Sequence, residues 1–257
     1  MKIVFKIGTS TLAYPNGRLN IRSIESIVKV LSDIKNQGHQ LIIVSSGAIG
    51  MGVGRLMLSG KPEEMAMKQA AAAVGQSELM KTYDRLFSLH NHTVGQILLT
   101  KEDLEVKDRL HNFQSTVAAL LRLDVIPILN ENDSVATDEI SVGDNDTLGA
   151  IVAVKTRADM LVALSDIKGL YTADPQENPE AQMLRIVEVI TPEIEALAGT
   201  THNKLGRGGM ATKVQAAKIV TAEGCDMVIM NGKNPEQLYE LLEGQPVGTR
   251  FPACRTL

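Results

Sequence analysis

Short apolar runs alternate with helical stretches along most of this chain, and that alternation restricts the possible folds more than any other feature. Leu41–Ser45 and Val125–Leu129 are apolar almost throughout, which is typical of strands in a parallel sheet buried on both faces. The βαβα order predicts an α/β fold, with a mainly parallel sheet and helices on both of its faces.

The individual elements are predicted from apolar periodicity and from the positions of glycine and proline. Strands are expected at Lys2–Ile7, Leu41–Ser45, Val94–Leu99, Val125–Leu129, Met160–Leu164 and Met227–Met230. Helices are expected at Ile21–Gln37, Glu63–His90, His111–Leu123, Thr147–Thr156, Met210–Glu223 and Pro235–Glu243. Two segments are less regular, Val135–Val142 as a small hairpin and Met183–Val189 as a strand or hairpin arm.

Length and composition limit the organisation and the class of partner. The 257 residues, 44% of them hydrophobic, fit one large domain or two modest ones. The chain has no repeat or low-complexity linker, so we predict a single domain over residues 1–251 and a loose tail at 252–257. The net charge is −4 and aromatic residues are few, which argues against a nucleic-acid surface.

Cysteine use and the N-terminal sequence indicate a cytoplasmic protein. Cys225 and Cys254 are far apart and form no CxxC motif, which fits a reducing compartment. The apolar stretch in MKIVFKIGTS is too short for a signal peptide or a membrane span. His90 and His92 form an HxH pair, but without a third ligand nearby a polar helix end explains them better than a metal site.

A glycine cluster at the start of a predicted helix is the strongest functional signal. Gly206-Arg207-Gly208-Gly209-Met210-Ala211 runs directly into Thr212-Lys213. Glycines allow close backbone approach to a ligand, and the first helical turn offers unpaired N–H groups and the positive end of the helix dipole. Lys213 adds a full charge, so the segment predicts a phosphate site. The alternative is a flexible loop before an ordinary helix.

Two glycine-containing loops follow the first two predicted strands. Lys6 ends strand one beside Gly8 and two hydroxyls, and a lysine leaving a buried strand needs an anionic partner. The alternative is a solvated lysine at a sheet edge. The second loop, SSGAIGMGVG, begins at Ser45 and offers repeated N–H groups that can form an anion nest. Arg55 breaks the dinucleotide-binding spacing, and no GxxxxGK[ST] motif occurs.

Two further loops lie at the carboxyl ends of predicted strands, where ligands of such sheets bind. One holds two polar clusters, NENDS from Asn130 and VGDND from Val142. It suits a ligand with an ammonium group or a metal, unless it is simply a solvated turn. Asp146 within it resembles an N-cap of the following helix. The other loop, SDIKGLYTADP from Ser165, ends in a stiff Asp-Pro turn and is interpreted as a ligand loop.

Taken together, KIGTS, SSGAIGMG, NENDSVAT, VGDNDTL, SDIKGLYTADP and GRGGMATK resemble the amino acid kinase family over nearly the whole chain. The last two segments are shared across the family and imply only nucleotide binding. The other segments are similar to the members that phosphorylate glutamate. The resemblance implies a three-layer αβα sandwich around a mainly parallel sheet. Many bacterial members of this subgroup carry a C-terminal PUA domain, which we do not expect here.

The resemblance also implies an activity and its residues. The activity is ATP-dependent phosphorylation of the γ-carboxylate of L-glutamate, the first step towards proline. Lys6 and Lys213 would contact the transferring phosphoryl group, and Asp146 would organise them. Glutamate would be held by Ser46, Gly47, Asp133 and Asn145. ATP, with Mg²⁺ held mainly by its phosphates and not by a protein metal site, would contact Lys6, Ser165, Asp166, Arg207, Gly208, Gly209, Met210, Ala211, Thr212 and Lys213. A homo-oligomer, dimer or tetramer, and feedback inhibition by proline are implied as well.

Two alternatives stay open from the residues alone. One is a different kinase of the same fold, acting on acetylglutamate or uridylate. The acidic NEND cluster argues against acetylglutamate, which lacks a free ammonium group. The other is a non-catalytic sensor of a nucleotide or of proline, against which the presence of Lys6, Asp146 and Lys213 argues.

Overall fold

The structure is a computed structural model that describes residues 1–14, 16–136, 144–175, 177–199 and 209–254. These residues form one sheet of seven strands: β1 (Lys2–Ile7), β2 (Gln40–Ser45), β3 (Val94–Leu99), β4 (Ile126–Glu131), β5 (Met160–Ser165), β6 (Asp226–Asn231) and β7 (Thr249–Phe251). Their spatial order is β3-β4-β2-β1-β5-β6-β7. All neighbouring strands run parallel except β7, which pairs antiparallel with β6.

The described residues also form ten helices: α1 (Thr9–Leu12), α2 (Ile21–Asn36), α3 (Ala48–Arg55), α4 (Met65–Ser88), α5 (Lys101–Glu105), α6 (Lys107–Arg122), α7 (Asn145–Thr156), α8 (Pro192–Gly199), α9 (Met210–Ala222) and α10 (Gln237–Leu242). None of these helices combines the length and the apolarity that a membrane crossing requires.

Two hydrophobic cores lie on opposite faces of the sheet, which makes the fold a three-layer αβα sandwich. One core packs the side of β1 that carries Phe5 against α2, α4 and α10. The other packs the side that carries Val4 against α6, α7, α8 and α9. Because side chains alternate along a strand, Lys6 lies on the same side as Val4, facing α7. The predicted fold class is confirmed.

The strand order reverses at β1, which places a ligand crevice at its carboxyl end. The chain leaves β1 for β2 on one side and later returns to β5 on the other. A crevice opens at such a switch point in a parallel sheet. Hydrogen bonds continue the sheet into the loops there, from the Gly8 amide to the Leu164 carbonyl (3.2 Å) and from the Ser46 amide to the Ile7 carbonyl (3.0 Å).

Several secondary-structure elements differ from those predicted. Met183–Val189 forms no regular strand. Its start pairs as a hairpin arm over a single antiparallel bridge, between Tyr171 and Met183, and Ile186 forms an isolated parallel bridge with Arg250. The short strand β7 and the helix α5 were not predicted, although a capping box between Thr100 and Asp103 marks the start of α5. The hairpin predicted at Val135–Val142 extends beyond the described residues.

The tail predicted at 252–257 is attached to the domain at its start. The amide of Ala253 donates to Asp226 Oδ1 (2.8 Å), and the amide of Cys254 donates to the Thr221 carbonyl (2.9 Å). The guanidinium of Arg250, on β7, pairs with the same Asp226 carboxylate. These contacts hold the end of the described chain against the start of β6 and the end of α9.

Helices α3 and α4 pack backbone against backbone beside the crevice. A Cβ atom on Gly52 would lie 1.8 Å from the Ala71 carbonyl oxygen, and one on Gly75 would lie 1.7 Å from that of Ala48. No larger side chain fits at either position. Gly52 and Gly54 lie in the body of α3, so their amides are not available for the anion nest predicted for this segment. The amides at 48–50 precede the first helical hydrogen bond, from the Met51 amide to the Gly47 carbonyl (2.9 Å).

Candidate active site

Lys6, Asp146 and Lys213 meet in one buried cluster at the carboxyl end of β1. Lys6 Nζ lies 2.7 Å from Asp146 Oδ1, and Lys213 Nζ lies 3.1 Å from Asp146 Oδ2. The three residues come from the end of β1, the first turn of α7 and the first turns of α9. None is more than 6% exposed. The structure thus brings together the three residues predicted to be catalytic.

The charges of this cluster do not cancel. Burial alone would raise the pKa of Asp146, but the ammonium groups of Lys6 and Lys213 outweigh burial and lower it. Burial lowers the pKa of Lys6, the Lys213 ammonium acts in the same direction, and Asp146 opposes both. Counted at their ordinary charges, two ammonium groups and one carboxylate leave one excess positive charge in a site shielded from water. Such a site attracts an anion.

Local packing explains how these side chains reach each other. Gly149 in α7 packs beside the aliphatic stem of Lys6, where a Cβ atom would make ordinary van der Waals contact at 3.5 Å from Lys6 Cβ. Asp144 caps α7 by accepting from the Thr147 amide (2.9 Å), which places Asp146 in the first turn. The prediction that Asp146 is the N-cap was therefore wrong. The cap lies two residues earlier and leaves the Asp146 carboxylate for the lysines.

The described part of the predicted phosphate segment converges on the same carboxylate. The hydroxyl of Thr212 lies 2.8 Å from Asp146 Oδ2 and 2.9 Å from the Gly209 carbonyl oxygen, and its single proton serves one acceptor at a time. Gly209 is the N-cap of α9. The side chain of Met210 packs in the hydrophobic core, so only its backbone is positioned for a ligand, and Ala211 is exposed. Arg207 and Gly208 lie outside the described residues.

Ser165 and Asp166 follow β5, next to β1 in the sheet. Ser165 is buried and its hydroxyl donates to Asp166 Oδ1 (3.1 Å). The Asp166 carbonyl accepts from Asn231 Nδ2 (3.2 Å), which ties this loop to the end of β6. Both residues lie on the edge of the sheet that carries Lys6, on the side towards β6. They are placed to line a neighbouring part of the same crevice.

A chain of amide side chains leads away from the lysine cluster on the other side. Asn145 Nδ2 lies near three acceptors, the Ser45 carbonyl (3.0 Å), Ser46 Oγ (2.9 Å) and Asn130 Oδ1 (3.0 Å). Asn130 Nδ2 in turn donates to Gln76 Oε1 (2.9 Å). Gly47 follows Ser46 with a φ of 99°, a conformation that favours glycine, and caps α3.

A cavity of about 590 Å³ opens beside this amide chain. Its walls come mainly from α4, from β3, and from residues 131–134 at the end of β4 and in the loop after it, and they include Gln76 and Asp133. The structure thus places Ser46 and Asn145 in direct contact and Asp133 in the wall of the adjoining cavity. Sequence reasoning missed Asn130 and Gln76. Asn130 stands in the NENDS cluster, whereas nothing in the sequence of α4 marks Gln76.

The described residues contain no group of three His, Cys, Asp or Glu side chains that could hold a metal ion. His92, half of the HxH pair, is buried, and its Nε2 lies 3.2 Å from the Ser32 carbonyl oxygen. Its ring also meets the edge of Phe87. These contacts explain His92 as a structural residue at the end of α4.

Comparison with known proteins agrees with this geometry. The sequence profile of the amino acid kinase family matches residues 1–231. The fold is that of an α/β protein with a mainly parallel sheet, and the chain belongs to the amino acid kinase family.

Its relatives by sequence include proteins named glutamate 5-kinase. The chain is 52% identical to a glutamate 5-kinase of Clostridium tetani, over 98% of this chain and 95% of that protein. It is 49% identical to a glutamate 5-kinase of Moorella thermoacetica, over 97% of this chain but 66% of that protein.

Solved structures share the fold at lower identity. A carbamate kinase from Giardia lamblia bound to AMP-PNP matches with a TM-score of 0.70 and 18% identity, over 98% of both chains. An isopentenyl phosphate kinase from T. acidophilum matches with a TM-score of 0.66 and 17% identity, over 98% of this chain and all of that one.

Proposed function

We propose that this chain transfers the γ-phosphoryl group of ATP to the γ-carboxylate of L-glutamate, giving L-glutamyl 5-phosphate and ADP, the first step towards proline. The observation that carries the proposal is the buried Lys6–Asp146–Lys213 cluster beside the Ser46–Asn145 pair. The names of relatives about half identical over nearly the whole chain support the same substrate.

The chemistry needs positive charge more than it needs a base. A γ-carboxylate is ionised at neutral pH, with an ordinary pKa near 4.3, so it attacks phosphorus without losing a proton. The barrier arises from repulsion between two anions and from charge on the transferring group, and catalysis is mainly positioning and electrostatics. Lys6 and Lys213 supply two fixed ammonium groups in a site shielded from water.

Asp146 acts on the substrate through the two lysines. Without its carboxylate, two buried ammonium groups would face each other and repel. With it, each Nζ is held on one oxygen and keeps other N–H donors for phosphate oxygens. Thr212 fixes the orientation of the carboxylate from α9.

We assign Mg²⁺, which ATP ordinarily carries, mainly to the phosphate groups of the nucleotide. Both oxygens of Asp146 already face lysines, and the described residues offer no three-carboxylate group. When bound, the ion would neutralise charge on the phosphate groups. Ser165, Asp166 and the backbone at Gly209 are the described residues that we assign to the nucleotide side.

Glutamate is assigned to the other side of the cluster. Because the three hydrogen bonds described for Asn145 all leave from Nδ2, its Oδ1 is the atom that we assign to the substrate ammonium, together with the Asp133 carboxylate. Ser46 Oγ accepts from Asn145, so its own proton can be donated to the γ-carboxylate. Gly47 and the start of α3 offer backbone N–H groups at the same place.

Trapping the acyl phosphate with hydroxylamine tests the reaction. We expect an ATP-dependent hydroxamate with L-glutamate and none with N-acetylglutamate, and no ADP release with UMP. A hydroxamate from N-acetylglutamate alone would identify a different kinase of the same fold. ATP binding without any product would identify a nucleotide sensor. Inhibition by proline and a dimeric or tetrameric assembly remain predictions, tested by adding proline to this assay and by sedimentation.

Both cysteines are free, with Cys225 buried and Cys254 exposed. Free thiols suit the reducing cytoplasm, where we place the reaction.

A further inference from the structure

Gln76, in the middle of α4, has a buried donor group that no described residue satisfies. The side chain is 8% exposed and lines the cavity next to Asp133. Its Oε1 accepts from Asn130 Nδ2, but its Nε2 has no hydrogen-bond partner among the described residues. Buried polar groups are nearly always paired, so an unpaired one at the wall of a cavity points to a missing acceptor.

Two backbone groups determine which end of the Gln76 amide faces the cavity. The Ser45 carbonyl can only accept, so the Asn145 atom beside it must be the NH₂ group. The Glu131 amide can only donate, so the Asn130 atom that it meets at 2.9 Å must be the oxygen. Asn130 therefore donates to Gln76 through its own NH₂ group, and Gln76 accepts with Oε1. The free end of Gln76 must then be NH₂.

The same chain of amides connects the cavity wall at Gln76 with the lysine cluster. At one end, Asn145 precedes Asp146 in sequence and contacts Ser46, whose backbone is bonded to Ile7 beside Lys6. That end lies by the lysine cluster, where phosphoryl transfer is assigned. Gln76 lies at the other end of the chain of amides, with the side chain of Asn130 between it and Asn145. An elongated substrate with a carboxylate at each end matches this arrangement.

We propose that Gln76 is a specificity-determining residue that donates from Nε2 to the α-carboxylate of glutamate. The inference rests on the proposed function. The γ-carboxylate of the bound glutamate then lies by Ser46 and Lys6. Its ammonium group lies between the two carboxylates, by Asn145 Oδ1 and Asp133. A neutral donor holds the α-carboxylate without competing with the lysines for phosphate.

The Gln76→Glu substitution separates the donor from the structural role of this side chain. Glutamate has the same shape and keeps an oxygen for Asn130, but it replaces the donor with a negative oxygen facing a carboxylate. We expect kcat/KM for L-glutamate to fall about 30-fold or more through KM, with the KM for ATP within about twofold of wild type. Gln245→Glu, at an exposed position, makes the same charge change away from the cavity and serves as the control.

A second substrate tests what Gln76 recognises. 4-Aminobutyrate is glutamate without the α-carboxylate, so Gln76→Glu should leave its kcat/KM within about threefold of wild type while the preference for glutamate collapses. An equal loss with both substrates would show a merely structural role, and an unchanged KM for glutamate would show no contact. Either result overturns the assignment. If Gln76→Glu does not fold, Gln76→Met tests the same preference without the charge.

These outcomes are distinct from failure of the proposed function. If the wild-type protein makes no hydroxamate from glutamate, the reaction itself is wrong and the role of Gln76 falls with it. If the wild type makes the hydroxamate and the Gln76 variants have wild-type kinetics, the reaction stands and the assignment of Gln76 alone is wrong.

Discussion

Lys6 and Lys213, at opposite ends of the chain, bind opposite oxygens of one carboxylate, that of Asp146. The two ammonium groups are therefore held close together in a buried site despite their mutual repulsion. The predictions below follow from this arrangement and from the helices that support it.

Replacing either lysine of the cluster should slow phosphoryl transfer. Lys6→Ala and Lys213→Ala each remove one preorganised charge, and we expect kcat to fall by about 10²-fold or more. Lys218→Ala is the matched control, because Lys218 lies on the same helix but pairs with Glu195 at the surface. Its kcat should stay near that of wild type. Steady-state kinetics with the hydroxamate assay measures kcat of each variant. A near-normal kcat in both Lys6→Ala and Lys213→Ala would refute the catalytic role of the two lysines.

Asp146→Asn should damage both stability and activity. The change leaves two buried ammonium groups without their counter-charge, which costs about 3–5 kcal/mol of unfolding free energy. Asp144→Asn removes a carboxylate two residues away but keeps a good N-cap, so its effect on stability should be well under about 1 kcal/mol. Denaturant unfolding measures both variants. Equal stability losses would mean that Asp146 is only a helix-start residue.

Asp133→Ala should act on glutamate and not on ATP. The carboxylate lines the cavity assigned to glutamate, so its loss should raise the KM for glutamate about tenfold or more while the KM for ATP changes little. Asp108→Ala, at an exposed position in the first turn of α6, is the control. A selective rise in the KM for ATP would show that the two subsites are assigned the wrong way round.

ATP binding should weaken at alkaline pH and take up protons. Burial lowers the pKa of Lys6 below its ordinary value of 10.5. Only the protonated form attracts phosphate, so affinity is highest below this pKa and falls as the pH rises through it. Bound phosphate raises the pKa again, so the complex binds more protons than the free protein. Calorimetry above pH 8 in two buffers of different ionisation enthalpy measures the uptake. The same uptake in Lys6→Met would show that another group titrates.

Gly75→Ala should disturb the site through packing alone. The new Cβ atom would lie 1.7 Å from the Ala48 carbonyl oxygen, so α3 and α4 must separate. We expect a loss of about 2 kcal/mol or more in stability and a raised KM for glutamate, because Ser46 precedes α3 and Gln76 follows Gly75. Gly60→Ala, with open space around it and no positive φ, should be close to neutral. Thermal unfolding and kinetics of both variants would settle the comparison.

The sequence by itself determined the layers and the edge of the sheet that carries the site. Continuous apolar runs can be buried only in a sheet covered on both faces, and Lys6, Ser46 and Ser165 follow such runs directly. Local chemistry also marked the start of α9, where glycine precedes Met210. The short strand β7 depends on its pairing with β6, which local periodicity does not show. The cap of α7 is local, since Asp144 accepts from the Thr147 amide, but Asp144 and Asp146 are both residues that can cap a helix.

Tertiary structure alone decided which side chains act together. Lys6 and Lys213 share Asp146 because α7 and α9 pack on the face of the sheet towards which Lys6 of β1 points, and their separation in sequence carries no such information. Likewise, Gln76 joins the site because Gly52 and Gly75 let α3 and α4 approach closely beside β4. Contacts between distant residues depend on packing geometry, whereas strands and helices follow from the local order of apolar and polar residues.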